Sequence, residues 1–167
     1  EVFDELGRLI RTIGAANAQT WAFGYDRTDN NTSVTDPRGK VWSSGFDALN
    51  RLVTETEPGP NTVTLTRNGK DEVTAYKDPR NLTTTYVRNG FGDVIRQSNP
   101  DTGITDYTYD ARGLVSQIKD ARLVIANMTY DNAGRMLTRV FPAAATENVT
   151  FAYDSVLTGN KGKGRLT

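Results

Sequence analysis

One short phrase returns along this chain at a nearly fixed step, and that step limits the fold more than any other feature. Its clearest copies are Tyr109-Asp110-Ala111-Arg112-Gly113-Leu114 and Tyr130-Asp131-Asn132-Ala133-Gly134-Arg135-Met136. Phe3-Asp4-Glu5-Leu6-Gly7-Arg8-Leu9 and Phe46-Asp47-Ala48-Leu49-Asn50-Arg51-Leu52 are earlier copies, and weaker ones begin at Tyr25, Arg67, Arg88 and Tyr153. The starts, at 3, 25, 46, 67, 88, 109, 130 and 153, lie 21 to 23 residues apart. A constant step over the whole chain marks a repeat array.

The slots of the phrase have a physical meaning. The second slot is Asp4, Asp26, Asp47, Asn68, Asn89, Asp110, Asp131 or Asp154. Such side chains bond to the backbone two residues on and so start a turn. The fifth slot is Gly7, Asp29, Asn50, Asp71, Gly92, Gly113 or Gly134, residues that tolerate a left-handed backbone. Leu157 breaks this pattern in the last copy. The seventh slot is mostly apolar (Leu9, Leu52, Val73, Val94, Val115, Met136), with Asn31 the exception. The phrase is therefore a tight turn leading into a strand.

Residues before each phrase alternate, as in Thr62-Val63-Thr64-Leu65-Thr66, which is the period of a strand. Two places ahead of the first slot stand Phe23, Ser44, Leu65, Tyr86, Tyr107, Met128 and Phe151. Four places ahead stand Trp21, Trp42, Val63, Thr84, Thr105, Ala126 and Val149. Stacked in register, these make columns on one sheet face, so the aromatics are expected to pack and not to bind. The reading predicts strands at 8–13, 19–25 and 40–46, with reversals at Gly14–Asn17 and Pro58–Asn61. Asn68-Gly69 and Asn89-Gly90 carry tight-hairpin chemistry. A second period lies over the first: Asp36-Pro37-Arg38, Asp78-Pro79-Arg80 and Asp120-Ala121-Arg122 start 42 residues apart. They alternate with longer reversals at 58–61, 99–103 and 142–146, which predicts two kinds of hairpin. The fold class expected is all-β: an antiparallel hairpin array of about 21 residues per repeat. Such an array twists, and its free edges invite pairing.

Composition narrows function. Twenty basic residues balance twenty acidic ones, so no bulk charge draws the chain to nucleic acid or an acidic membrane. There is no Cys and no His, which removes thiolate chemistry and the commonest general base and metal ligand. No run reaches the length of a membrane span. Asp26, Asp29, Asn30 and Asp36 form the densest acidic stretch, without the spacing of a calcium loop. Gly159 to Arg165 is glycine-rich and basic but lacks the ending of a phosphate loop, and it reads as a surface loop. The Asn-x-Ser/Thr triplets at Asn30, Asn31, Asn81, Asn127 and Asn148 are expected by chance in a Thr-rich strand protein. No catalytic residue, cofactor site or metal site is assigned, and an enzyme is not expected. The second-slot residues with Gly7, Gly92, Gly113 and Gly134 are assigned as structural turn positions.

The phrase Tyr-Asp-x-x-Gly-Arg-Leu at this step resembles the YD repeats of the Rhs family, over essentially the whole chain. Arg88-Asn89-Gly90-Phe91-Gly92-Asp93-Val94 is similar to a variant found in bacterial members. The family includes polymorphic toxins, the cocoon subunits of Tc toxin complexes and the animal teneurins. The resemblance implies a strand spiral forming part of a hollow shell. Residues 1–167 would be one run of about eight repeats cut from a longer chain. The implied partners are the rest of the shell and an enclosed C-terminal toxin domain, in a protein exported or held at the bacterial surface. Neither the plug segment that closes such shells nor a toxin domain is recognised here, so no protease or toxin activity is carried over. The alternative is a carbohydrate-binding or adhesion module that uses Trp21 and Trp42. Tryptophan fluorescence titrated with polysaccharide separates the two readings.

Overall fold

A computed structural model describes residues 1–15, 19–59, 61–154, 164 and 166. Among the described residues the strands pair antiparallel with their neighbours in the chain, within each of two units. The chain divides into two compact units, Glu1–Thr85 and Tyr86–Thr167.

The first unit holds β1 (Val2–Phe3), β2 (Leu9–Ile13), β3 (Thr20–Tyr25), β4 (Asn31–Thr35), β5 (Val41–Phe46), β6 (Leu52–Thr56), β7 (Thr62–Arg67), β8 (Val73–Lys77) and the start of β9 (Thr83–Arg88). Three strands begin one residue later than alternation suggests, because Arg8, Gln19 and Lys40 close their hairpins. Their carbonyls accept the N–H groups of Asp4, Gly14 and Asp36 at 2.7–2.9 Å. Register sorts the side chains into two faces. Phe23 lies opposite Val34 and Val34 opposite Trp42, while Leu65 lies opposite Tyr76. On the other face Ser33, Ser43, Thr56 and Thr62 line up across four strands. Thr56 and Thr62 join hydroxyls at 3.0 Å. One face is thus mostly apolar and aromatic, with Glu55 opposite Val63 on it, and the other largely hydroxylic, as period two favours between the bulges.

The second unit holds β10 (Val94–Asn99), β11 (Gly103–Tyr109), β12 (Val115–Lys119), β13 (Ile125–Tyr130), β14 (Met136–Val140) and β15 (Val149–Thr150). Tyr107, Ile118 and Ala126 align on one face, with Met128 two places on. The other face carries Gln117 bonded to Asn127, and Thr129 bonded to Thr138. Arg96 pairs with Asp106 there, at 2.6 Å. A 3-10 turn at Ala145–Glu147 is the only helical piece among the described residues of this unit.

Among the described residues the buried apolar side chains are Ala126 and Met128. Within each unit the described strands form one layer, with no second layer to enclose its apolar face. Backbone ladders, cross-strand pairs and turns therefore carry more of the fold here than they would in a two-layered domain. Among the described residues no helix is long and apolar enough to cross a membrane.

Candidate functional site

The hairpin turns repeat one atomic arrangement. In Asp4 to Arg8, Asp4 Oδ1 accepts the N–H of Leu6 at 3.0 Å and of Arg8 at 2.9 Å. The carbonyl of Asp4 accepts the N–H of Gly7, and the Asp4 N–H returns to the Arg8 carbonyl. Gly7 takes φ 79°. This is a β-turn followed by one left-handed bulge residue, a favoured short hairpin connection. The same two acceptances, at 2.9–3.1 Å, recur at Asp26, Asp47, Asn68, Asn89, Asp110 and Asp131. The left-handed residues there are Asp29, Asn50, Asp71, Gly92, Gly113 and Gly134, with φ between 60° and 93°.

Asp36, Asp78 and Asp120, the short kind of reversal, do not build a turn of their own: they repeat the main phrase's turn at the other end of the strands, and differ from the longer reversal that holds the 3-10 turn Ala145–Glu147. Their Oδ1 atoms accept the N–H groups two and four residues on, at 2.8–2.9 Å. Gly39, Asn81 and Leu123 hold the left-handed slot. Nor does Asn-Gly set the bend at 68 or 89. The left-handed backbone falls at Asp71 and Gly92 and not at Gly69 or Gly90, because the side-chain acceptor, not the glycine, fixes the phase of the turn. Asp154 differs from the other second-slot residues. It takes φ 58° itself, and its carboxylate receives the Gly164 N–H and Arg135. Leu157 and Gly159–Lys163 lie outside the described residues, as do Arg165, Pro60, Ala16 and Asn17.

Sequence reasoning missed what Arg and Tyr do. Where the sixth slot is Arg, its Nε donates to the Oδ2 of its own turn aspartate, at 2.6–2.8 Å in Arg8, Arg51 and Arg135. The rest of the guanidinium then reaches the next turn along the same edge. Arg8 Nη1 donates to the Asp26 carbonyl and to Asp29. Arg51 reaches the Asn68 carbonyl and Asp71, and Arg135 reaches Asp154. Arg112, two places after its aspartate, makes the equivalent link to the Asp131 carbonyl at 2.7 Å. Asn30 makes a neutral version, bonding both Asp26 and Asn50. The first-slot tyrosine links in the other direction. Tyr25, Tyr109 and Tyr130 donate their hydroxyls to the carbonyls of Leu9, Val94 and Val115 at 2.8–2.9 Å. Arg8 and Arg135 also stack on the ring of the following tyrosine, Tyr25 and Tyr153, at 4.9 and 4.6 Å. The signal was present in the sequence: Tyr and Arg recur at fixed places in a phrase whose turn needs neither.

Some copies invert the chemistry. At Arg67-Asn68 and Arg88-Asn89 the sixth slot is acidic, and the Asn Nδ2 donates to Glu72 and Asp93 at 2.6 and 3.0 Å. Arg67 then replaces tyrosine, its Nε facing the Leu52 carbonyl at 3.4 Å. Phe46 has no donor to offer at the matching place. We expect Phe46→Tyr to bond the Asn31 carbonyl, 15 residues back as in the Tyr109 and Tyr130 pairs, and to stabilise the fold by about 1 kcal/mol. Thermal unfolding followed by circular dichroism reads this, and an unchanged or lower midpoint would count against the Tyr link.

Electrostatics follow the turn. The Arg51 side chain, then the backbone donors, hold the Asp47 carboxyl at about 2. Asn30 and the turn N–H groups do the same for Asp26, also about 2. Burial pushes Asp36 up, but the N–H of Lys40 and its contacts with Arg38 outweigh it and leave the carboxyl lowered. Among the described residues no group of three or more acidic side chains converges as a metal site. Trp21 and Trp42 occupy the apolar face opposite Thr12 and Val34, and Trp42 also borders a groove with Arg38, Lys40, Glu57 and Pro58.

These features define a class, an antiparallel repeat array whose aspartate turns are clamped rung to rung. Residues 28–62 and 88–122 each match the RHS Repeat family, so the chain carries Rhs repeats. No curated protein matches the sequence. Solved structures with a similar fold include TcdB2-TccC3 without its hypervariable C-terminal region, at TM-score 0.67 and 16% identity over 92% of this chain and 10% of that one. TcdB2-TccC3-Cdc42 gives 0.63 and 19% over 81% of this chain and 9% of that one. The Photorhabdus luminescens Tc holotoxin pore gives 0.53 and 14% over 80% of this chain and 9% of that one. The chain thus spans about a tenth of the length of the structures it matches.

Proposed function

We propose that the chain is a wall segment of an Rhs-type shell that encloses a C-terminal toxin domain for delivery to other cells. The observation that carries this is the rung-to-rung clamp. Arg8, Arg51, Arg112 and Arg135 each bind the turn that follows, and Tyr25, Tyr109 and Tyr130 the strand before, so hairpins can be added one after another without a separate core. In this reading residues 1–167 are one run of a longer array, and the parent is exported. The role is structural, and no reaction is assigned to any residue. Among the fold relatives, the TcdB2-TccC3 structure that lacks a hypervariable C-terminal region belongs to a protein that has one, which supports the enclosure reading.

Protease protection of the intact parent protein tests it. The region after the repeats should resist trypsin in the native particle. It should become cleavable when Gly113→Val and Gly134→Val loosen the wall. Equal cleavage before and after would overturn the proposal.

A further inference from the structure

Within the second unit the clamp is absent between two successive turns, Asn89–Asp93 and Asp110–Leu114. In the first copy the sixth-slot Arg8 lies over the next tyrosine ring, Tyr25, and bonds the next turn's second-slot carbonyl, Asp26, while Arg135 lies over Tyr153 and bonds the Asp154 carboxylate. Here the sixth slot is Asp93 and the fourth is Phe91, so no side chain of this turn can play that part. A groove of about 580 Å³ takes its place, lined by Phe91, Asp93, Ile95, Tyr107, Tyr109 and Arg112. Phe91 is 95% exposed and Ile95 is 37% exposed. Asp93 bonds Asn89 and has no cation within ion-pair distance among the described residues. Asp93 and Tyr109 line the same groove, and burial first and the Asp93 charge second push the Tyr109 phenol above its ordinary value, against the opposing Arg88 charge. The neighbouring guanidiniums are engaged elsewhere: Arg112 with Asp110 and the Asp131 carbonyl, Arg88 with the Gly92 carbonyl at 2.7 Å.

We propose that this groove is an arginine-binding site, filled by a guanidinium and an adjoining apolar side chain from a partner peptide segment. The cation would take the place that Arg8 and Arg135 fill in their own turns: over the Tyr109 ring, against the Asp110 carbonyl and the Asp93 carboxylate. The apolar neighbour would cover Phe91 and Ile95. Charge complementarity selects the occupant. Among the groups lining the groove Arg112 pairs with Asp110, which leaves the Asp93 carboxylate without an ion-pair partner, and the planar fork of arginine matches carboxylate and aromatic face together. The inference stands on the internal clamps and is independent of the shell reading.

The test is a titration of the folded chain with acetyl-Arg-Leu-amide and with its neutral isostere acetyl-citrulline-Leu-amide, followed by NMR of the Tyr109 and Phe91 rings. The arginine peptide should shift both rings saturably. The citrulline peptide, or Asp93→Asn, should weaken binding at least about fivefold, as expected for loss of one charge-assisted contact. A double variant, Asn89→Asp with Asp93→Arg, installs the missing clamp. It should fold, melt higher and no longer bind the peptide. Equal affinity for the two peptides would make the groove a mere apolar crevice. Silence of both rings, or undiminished binding by the double variant, would equally overturn the site.

Discussion

Gly113→Val and Gly134→Val should each lower stability by about 2 kcal/mol, roughly 4–8 °C in melting temperature for a chain of this length. Both glycines hold φ 79°. An added side chain meets nothing within 4 Å at Gly113, and only the Leu114 Cδ1 at 3.8 Å at Gly134. The cost is therefore backbone strain alone, and valine adds β-branching to it. The matched control is Gly134→Asn. Asparagine already holds this slot at Asn50, with φ 60°, so that variant should retain most of the stability. Removing Arg112, whose side chain is 45% exposed, should cost under about 1 kcal/mol. Circular-dichroism melts of the four proteins decide the matter. Equal midpoints for valine, asparagine and the Arg112 variant would remove the left-handed slot as the determinant.

Acid should unfold the array through the same turns. Every turn aspartate with a resolved shift lies below its usual 3.8: Asp26 and Asp47 at about 2, and Asp4, Asp78, Asp110, Asp120 and Asp131 lowered. The folded state thus binds protons more weakly than the unfolded chain, whose aspartates titrate near 3.9. Their contribution is fully present above about pH 5, and it is lost as pH falls through 4 towards 2. We expect melting temperature to be flat from pH 7 to 5 and to drop steeply below 4. Asp26→Asn and Asp47→Asn keep the acceptor oxygen, as Asn68 and Asn89 do, and should flatten the acid limb. A midpoint constant down to pH 2, or a fall centred above pH 5, would contradict the turn chemistry.

The groove between the turns at 89 and 110 lies where, among the described residues, no arginine reaches from one turn to the next, although the Tyr109 hydroxyl still bonds the Val94 carbonyl. The inverted copies are informative in the same way. A coordinated exchange of Tyr for Arg, Asp for Asn and Arg for an acid preserves the bend but reverses which side chain donates. Swapping one member alone would pair like with like across the turn, at Asn68 and Glu72 as at Asn89 and Asp93.

Local chemistry alone determined the strands, the two-faced alternation and the left-handed slots. The Asx turn is written in adjacent residues, and a side chain that bonds two and four places along needs no distant partner. Asp4 with Gly7 and Asp131 with Gly134 could thus be read directly. The roles of Arg8, Arg112, Tyr109 and Tyr130 could not, because their partners lie 15 to 19 residues away and meet them only when successive hairpins stack. The identity of the turns at Asp36, Asp78 and Asp120 with those of the main phrase was hidden by Leu123 and Asn81, which stand where glycine was the cue. Only the tertiary structure decided that the bends at Asp36, Asp78 and Asp120 share the motif of the opposite edge, and that no arginine among the described residues spans the step from Asp93 to Tyr109. Contact between neighbouring rungs is a property of register, and register exists only once the sheet has formed.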